Sequence, residues 1–145
     1  MSEILFREIY PVERGNFAIA GEASSKIKKI LVKMGVPAAI IRDVSIAAYE
    51  AELNLVIHSN GGELVLEVTP SQLRLTSQDI GPGIPDINLA MKEGYSTAPE
   101  SVPVMGFGAG MGLPNIKRHC HEFQIQSEMG VGTTIHVAYH LRRCV

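Results

Sequence analysis

The stretch PAAIIRDVSIAAYEAELNLVIHSNGGELVLEVTPSQLRLTSQD, residues 37–79, decides the fold, because its apolar period changes once and at a marked point. Pro37 sits near the start of a helical run that reaches His58, and Asn60-Gly61-Gly62 supplies the turn that ends it. Beyond that turn the period becomes two. Leu64, Leu66 and Val68 share one side of a strand, Leu73 and Leu75 one side of the next, and Pro70-Ser71 turns the chain between them into an antiparallel hairpin. Upstream, Ala20, Ala23, Ile27, Ile30, Leu31 and Met34 recur at helical spacing, predicting a helix from about Asn16 to Met34 that stops at Gly35. Before it, Ile4, Phe6, Ile9 and Tyr10 alternate imperfectly and suit a first strand over residues 3–12. Downstream, Gly81 to Gly112 is rich in Gly, Pro and Ser and too long for an ordinary connector, so it reads as a functional loop with one short helix near Ile87 to Lys92. A further helix begins near Met111 to Pro114, and Phe123–Ser127 and Thr133–Leu141 read as strands joined by Gly130-Val131-Gly132. Helices and strands are segregated, which predicts an α+β fold with helices on one face of a mixed, mostly antiparallel sheet.

A chain of 145 residues is the size of one ordinary domain, so residues 1–145 are read as a single unit. Being 46% hydrophobic and 19% charged, it has the balance of a globular protein rather than a disordered one. The formal net charge of -2 provides no basic field for nucleic acid or an anionic membrane, and neither is expected as a partner. Cys120 and Cys144 are the only cysteines and no charged-then-apolar leader opens the chain, so a cytoplasmic location is expected, without a disulfide framework. No apolar run approaches the roughly 18 residues that a membrane helix requires.

Three local patterns carry chemistry. On the long second helix Glu50, Asn54 and His58 follow at four-residue steps and fall on one stripe within roughly 80°. Ala47, Ala51 and Leu55 flank the stripe, so these polar groups emerge beside an apolar face, although an ordinary exposed face would also read this way. Asp79-Ile80-Gly81-Pro82-Gly83-Ile84 places a carboxylate at a strand end before a glycine-rich bend. Such a carboxylate accepts hydrogen bonds from an amine such as the exocyclic group of adenine, and glycine lets a ligand approach the backbone; a plain Asp-initiated turn is the other reading. Gly106-Phe107-Gly108-Ala109-Gly110-Met111-Gly112-Leu113 alternates four glycines ahead of a helix, offering amides to phosphate, or simply a flexible loop. A dinucleotide fingerprint fails, because the third glycine position falls on Met111 or Leu113, and no Gly-Lys dipeptide exists for a P-loop.

In this order the three patterns resemble the N, G1 and G2 boxes of GHKL ATPases, whose Bergerat fold is a two-layer α/β sandwich. The resemblance spans nearly all of the chain. Gly94-Tyr95-Ser96-Thr97, Gly108 to Pro114, Lys117-Arg118, Glu122-Phe123, Ser127-Glu128 and Gly130 to Thr134 are similar to the anti-sigma-factor and stressosome-switch serine/threonine kinases of that family. The resemblance implies ATP and Mg²⁺ as ligands. It implies Glu50 as general base, Asn54 as the Mg²⁺-holding side chain, Asp79 as the adenine reader with Gly81 and Gly83 permitting close approach, and Gly108, Gly110 and Gly112 around the triphosphate. Thr133 is implied as the hydroxyl that helps hold adenine, with Thr134 the alternative if the register slips. Histidine kinases of the superfamily usually carry Asn where Glu50 stands, so Glu50 favours attack by an alcohol or water.

The function implied is phosphorylation of Ser or Thr on a small STAS-type antagonist protein in a bacterial partner-switching pathway, with a sigma factor, a phosphatase or a second copy as further partners. The alternative is an ATP-binding anti-sigma-like module with little or no kinase activity. The segment from Ala98 to Met105 is longer than the switch-kinase pattern, and Lys92 to Met105 is read as a lid. His119-Cys120-His121 looks like a ligand cluster, yet neighbours on a helix diverge by about 100°, which argues against one metal gripped by all three. Lys92 suits either a phosphate contact or solvent, and Lys26, Lys28, Lys29 and Lys33 form a basic helix face suited to an acidic partner or to solubility.

Overall fold

The computed structural model describes residues 4–13, 15, 20–58, 61–81, 91 and 112–141. Its elements run β1 (Phe6–Val12), α1 (Glu22–Lys33), α2 (Ala38–His58), β2 (Gly62–Val68), β3 (Gln72–Asp79), α3 (Gly112–Arg118), β4 (Glu122–Glu128) and β5 (Gly132–His140). The five strands form one sheet in the order β1-β2-β3-β5-β4. The fold is α+β with two layers, as the pattern of residues 37–79 requires. Every strand pair among the described residues is antiparallel, so no parallel pair of the expected mixed sheet appears there.

Period-two patterning sets the register. Leu66 stands opposite Leu75 and Leu75 opposite Val137, while Val68, Leu73 and Tyr139 form the adjacent row. One residue of slip would turn each of these rows to water, which is why the apolar pattern and the pairing agree. All six side chains are buried. The β2–β3 turn is closed by Thr69, whose Oγ1 donates to the Gln72 carbonyl at 3.1 Å and accepts the Gln72 amide at 3.0 Å. The outer sheet face is polar, with Arg7 beside Glu67 at 3.5 Å and Thr76 Oγ1 3.1 Å from His136 Nδ1.

Helix α2 is the middle of the helical layer, packed by α1 on one flank and α3 on the other. Its sheet side is Val44, Ala47, Ala48, Ala51 and Leu55, all nearly inaccessible. Three alanines in that row let the helix lie close to the strands. Ile27 and Leu31 of α1 and Ile116 of α3 complete the core.

Helix α1 starts later than the apolar spacing suggests. Gly21 holds a left-handed φ of 97°, a conformation a continuing helix cannot pass through, so the helix begins at Glu22 rather than Asn16. Residues 16–19 lie outside the described residues. No side chain of the flanking residues caps this start. The cap comes instead from α2: Glu52, 3% exposed, accepts the amide of Ala23 at 3.1 Å and that of Ser24 at 3.0 Å. Two of the unpaired donors at a helix start thereby satisfy a carboxylate that the core would otherwise reject.

Glu52→Ala strands both amides in a dry site and is expected to lower the unfolding free energy by about 1 to 3 kcal/mol, whereas Glu52→Gln keeps an acceptor and costs less. Urea titration of the two variants reads the difference; equal stability of Glu52→Ala and wild type would show that water replaces the carboxylate.

Candidate functional site

The residues singled out by the sequence fall into two groups. The first gathers at the ends of β3 and β5. Asp79 is the last residue of β3, and its strand neighbours are Gly62 on β2 and the start of β5. The Thr133 amide donates to Asp79 Oδ1 at 2.7 Å, so Asp79 and Thr133 are brought into direct contact. The contact is close because Gly132 has no side chain: a Cβ there would overlap the Asp79 carbonyl oxygen and sit 2.9 Å from Oδ1. Gly81 follows, buried, with its amide 3.3 Å from the Val131 carbonyl.

Thr133 itself is 6% exposed, and its Oγ1 lies 3.0 Å from Ser127 Oγ on β4. The residue therefore meets Asp79 through its backbone while its hydroxyl is paired sideways along the sheet. Thr134 stands opposite Gln78 and Gln126, one position out of line with Asp79. Burial raises the Asp79 pKa above the usual carboxylate value, and the Thr133 amide opposes that rise by binding the ionised form.

The second group lies between α2 and α3. Glu50 and Asn54 are both partly buried and one helical turn apart on α2. Desolvation raises the Glu50 pKa, and two groups on α3 pull it back, a hydrogen bond from the Asn115 side chain and the nearby His119 ring. His119 Nδ1 lies 2.7 Å from the Asn115 backbone carbonyl, and since a carbonyl only accepts, that nitrogen carries the proton. His58 is the last residue of α2, and Gly112 is the first of α3.

Asn115 and Glu52 escaped the sequence reading. Glu52 had a signal: it lies four residues after buried Ala48 and three before buried Leu55, so it sits on the apolar face, where a carboxylate must find donors. Asn115 had none, since its partner is distant in sequence. The expectations for Gly83, Gly108, Gly110, Lys92, the helix near 87–92, the lid over 92–105 and Cys144 lie outside the described residues.

His119, Cys120 and His121 do not share a helix, as the argument against a metal there had supposed. Helix α3 ends at Arg118, and His121 has already turned to the sheet, where it stacks on His140 with ring centroids 5.2 Å apart. Burial, with Asp43 nearby, pushes the Cys120 thiol up and keeps it protonated, which suits neither metal ligation nor nucleophilic attack. The lysines of α1 are exposed, Lys26 pairing with Glu22 at 3.2 Å.

The described candidates are thus a glycine-wedged carboxylate at a strand end and a carboxylate and an amide one turn apart on the central helix. Residues 40–143 match the model of the histidine kinase-, DNA gyrase B- and HSP90-like ATPases, and the chain belongs to that family. ATP binding follows from membership. Within the family the chain is 33% identical over 103 residues to serine/threonine-protein kinase RsbT of Bacillus subtilis (strain 168), covering 68% of this chain and 71% of that protein. It is 30% identical over 109 residues to anti-sigma F factor of Bacillus licheniformis, covering 71% of each. A chain of the solved SiaB–SiaC complex from Pseudomonas aeruginosa superposes with a TM-score of 0.56 over 93% of this chain and 89% of that one; at 12% identity this likeness concerns the fold alone. No helix among the described residues is long and apolar enough to cross a membrane.

The raised carboxyls make a pH prediction. Where the folded pKa exceeds the unfolded one, the unfolded chain ionises first as pH rises, so the penalty is absent in acid and appears through and above the carboxylate range. Glu50→Gln and Asp79→Asn are each expected to be more stable than wild type at neutral pH, with the advantage fading in acid. Thermal unfolding at several pH values measures this, and a pH-independent difference would contradict it.

Proposed function

We propose that this chain is an ATP-dependent serine/threonine protein kinase acting on a small STAS-type antagonist protein in a bacterial partner-switching pathway, with residues 1–145 working as one domain. The observation that carries the reading is Glu50, a partly desolvated carboxyl whose pKa burial raises above the usual carboxylate value, one turn from Asn54. A carboxylate with a raised pKa accepts a proton from a hydroxyl better than a fully solvated carboxylate does. In this reading the Glu50 carboxylate takes the proton of a Ser or Thr hydroxyl, the hydroxyl oxygen bonds to the γ-phosphorus, and the β–γ bridging bond breaks with its electrons leaving on ADP.

Asn54 offers an amide oxygen, a hard donor of the kind Mg²⁺ accepts beside substrate phosphates, and so fits as the metal-holding side chain. Mg²⁺, when bound, neutralises the phosphates. Asp79 reads the exocyclic amine of adenine with the oxygen that the Thr133 amide does not occupy, and Gly81 lets the base lie close to the backbone. Gly83, Gly108, Gly110 and Gly112 are proposed to complete the nucleotide site. The relatives named serine/threonine kinase and anti-sigma factor support a partner-switching role. They also favour a second reading, an anti-sigma-like binding module that uses ATP to shape its interface and transfers little phosphate.

The two readings part at Glu50. With labelled ATP and the STAS-domain protein encoded nearest its gene, Glu50→Gln should leave nucleotide affinity within about tenfold while transfer falls by roughly two to four orders of magnitude. Asn54→Ala should weaken Mg-nucleotide binding itself. Asp79→Ala should cost about 1 to 3 kcal/mol of ATP affinity in calorimetry, the loss for a buried polar group left unpaired. Tight binding of ATP and partner by wild type without transfer, or undiminished transfer by Glu50→Gln, replaces the kinase with the binding module.

A further inference from the structure

We propose that Ser127 of β4 is a positioning residue for purine selection, donating its hydroxyl proton to Thr133 so that Thr133 can turn its own proton to N1 of adenine; the inference rests on the reading of Asp79 as the adenine reader with Thr133 beside it. Ser127 belongs to none of the three glycine and acidic patterns, and it enters because the sheet register sets it opposite Thr133.

The geometry is built from the core outward. Along the core side of the β4–β5 pair, Phe123 stands opposite Val137 and Ile125 opposite Ile135, and the next row is Ser127 opposite Thr133. The apolar layer gives way to hydroxyls at the row that reaches Asp79. Ser77, which precedes Asp79 on β3 and stands opposite Ile135, is a further buried hydroxyl at this end of the sheet. A hydroxyl taken from water needs a partner, and Thr133 Oγ1 has Ser127 Oγ at 3.0 Å. The Thr133 amide meanwhile donates to Asp79 Oδ1 at 2.7 Å. Hydroxyl and amide hang from the same residue, so an acceptor carboxylate and a hydroxyl stand side by side, and Ser127 holds the hydroxyl from the far side.

A hydroxyl carries one proton and two lone pairs, so between two bonded hydroxyls only one proton lies in the gap. Its owner decides what the other offers to a ligand. Were Thr133 the donor, only lone pairs would remain for the base. With Ser127 as donor, Thr133 keeps a free O–H. Ser127 is half-buried on the rim strand, where water can donate to its own oxygen, so the chain of donors runs from solvent through Ser127 to Thr133 and on to the base. Adenine presents an amine donor at C6 and an acceptor at N1, whereas guanine presents an acceptor at C6 and a donor at N1. A carboxylate beside a donating hydroxyl therefore matches adenine at both positions and guanine at neither. Rejection of the mismatched base is strong because buried polar groups are then left unpaired.

The test is calorimetry with ATP, GTP and 1-deaza-ATP, in which a C–H replaces N1, on wild type, Ser127→Ala, Ser127→Thr and Thr133→Val. Ser127→Ala should weaken ATP binding by about five- to fiftyfold, leave 1-deaza-ATP within about twofold of wild type, and narrow the preference for ATP over GTP. Thr133→Val should do the same, and adding Ser127→Ala to it should cost nothing further. Ser127→Thr keeps the donor and should bind ATP as wild type does. Undiminished ATP affinity in Ser127→Ala overturns the proposal, and so does an equal loss for ATP and 1-deaza-ATP, which is what a cross-strand contact serving only the sheet would give. Equal binding of ATP and 1-deaza-ATP by wild type shows that N1 is unread and overturns it too. Should Ser127→Ala fail to fold, Ser127→Val removes the same proton and is read in the same way. Asp79→Ala with wild-type ATP affinity refutes Asp79 as the adenine reader instead, while the N1 comparison, which needs only nucleotide binding, still decides the part played by Ser127.

Discussion

A buried carboxylate held by backbone amides is the constraint around which the helical layer is arranged. Glu52 is buried beneath the start of α1, and what makes that tolerable is a pair of backbone amides that α1 itself cannot satisfy. Each side of the exchange needs the other. Without α1 the carboxylate would be desolvated and unpaired; without Glu52 the helix would begin at a left-handed glycine with no cap. Two residues earlier on the same helix, Glu50 turns to the opposite flank and meets α3. Two acids of α2, Glu52 and Glu50, therefore face its two neighbours, one as a strut in the core and one at the rim where chemistry is proposed.

The site is assembled by the same economy. The Asp79 end of β3 is brought against β5 because Gly132 has no side chain to hold the strands apart, and the Thr133 amide then lies in line with one carboxylate oxygen. The adenine-reading face proposed here thus depends on backbone closeness in the sheet. The Glu50 face depends on side chains between helices. No described contact joins the two, and in the chain they are linked by the glycine-rich stretch between Gly81 and Gly112.

Local sequence made the strands and the long helix legible because each is a periodic pattern read over many residues. Leu64, Leu66, Val68, Leu73 and Leu75 could face only one way, and they do. The start of α1 was misread because apolar spacing sees Ala20 but not the φ of Gly21. The end of α3 was misread for a similar reason, the stretch from His119 to His121 being unperiodic where the chain leaves a helix for a strand. Glu50, Asn54, Asp79 and Thr133 were legible as a resemblance, and their surroundings were not. Spacing marks a stripe on a helix but cannot say that Asn115, a turn into a different helix, will face it. Nor can it tell that Thr133 offers Asp79 its amide while its hydroxyl turns to Ser127.

Among the described strands the order leaves β4 at one rim of the sheet, the place where an extended segment could add. Its exposed side chains are Glu122, Gln124, Gln126 and Glu128, so a carboxylate stands at each end of the strand and only amides lie between. A second copy of β4 approaching in antiparallel register would set Glu122 against Glu128 at both ends, like charge facing like charge. The rim is thereby insulated against growing by its own repetition, and a chain whose role is proposed to be the exchange of protein partners keeps this edge from partnering itself.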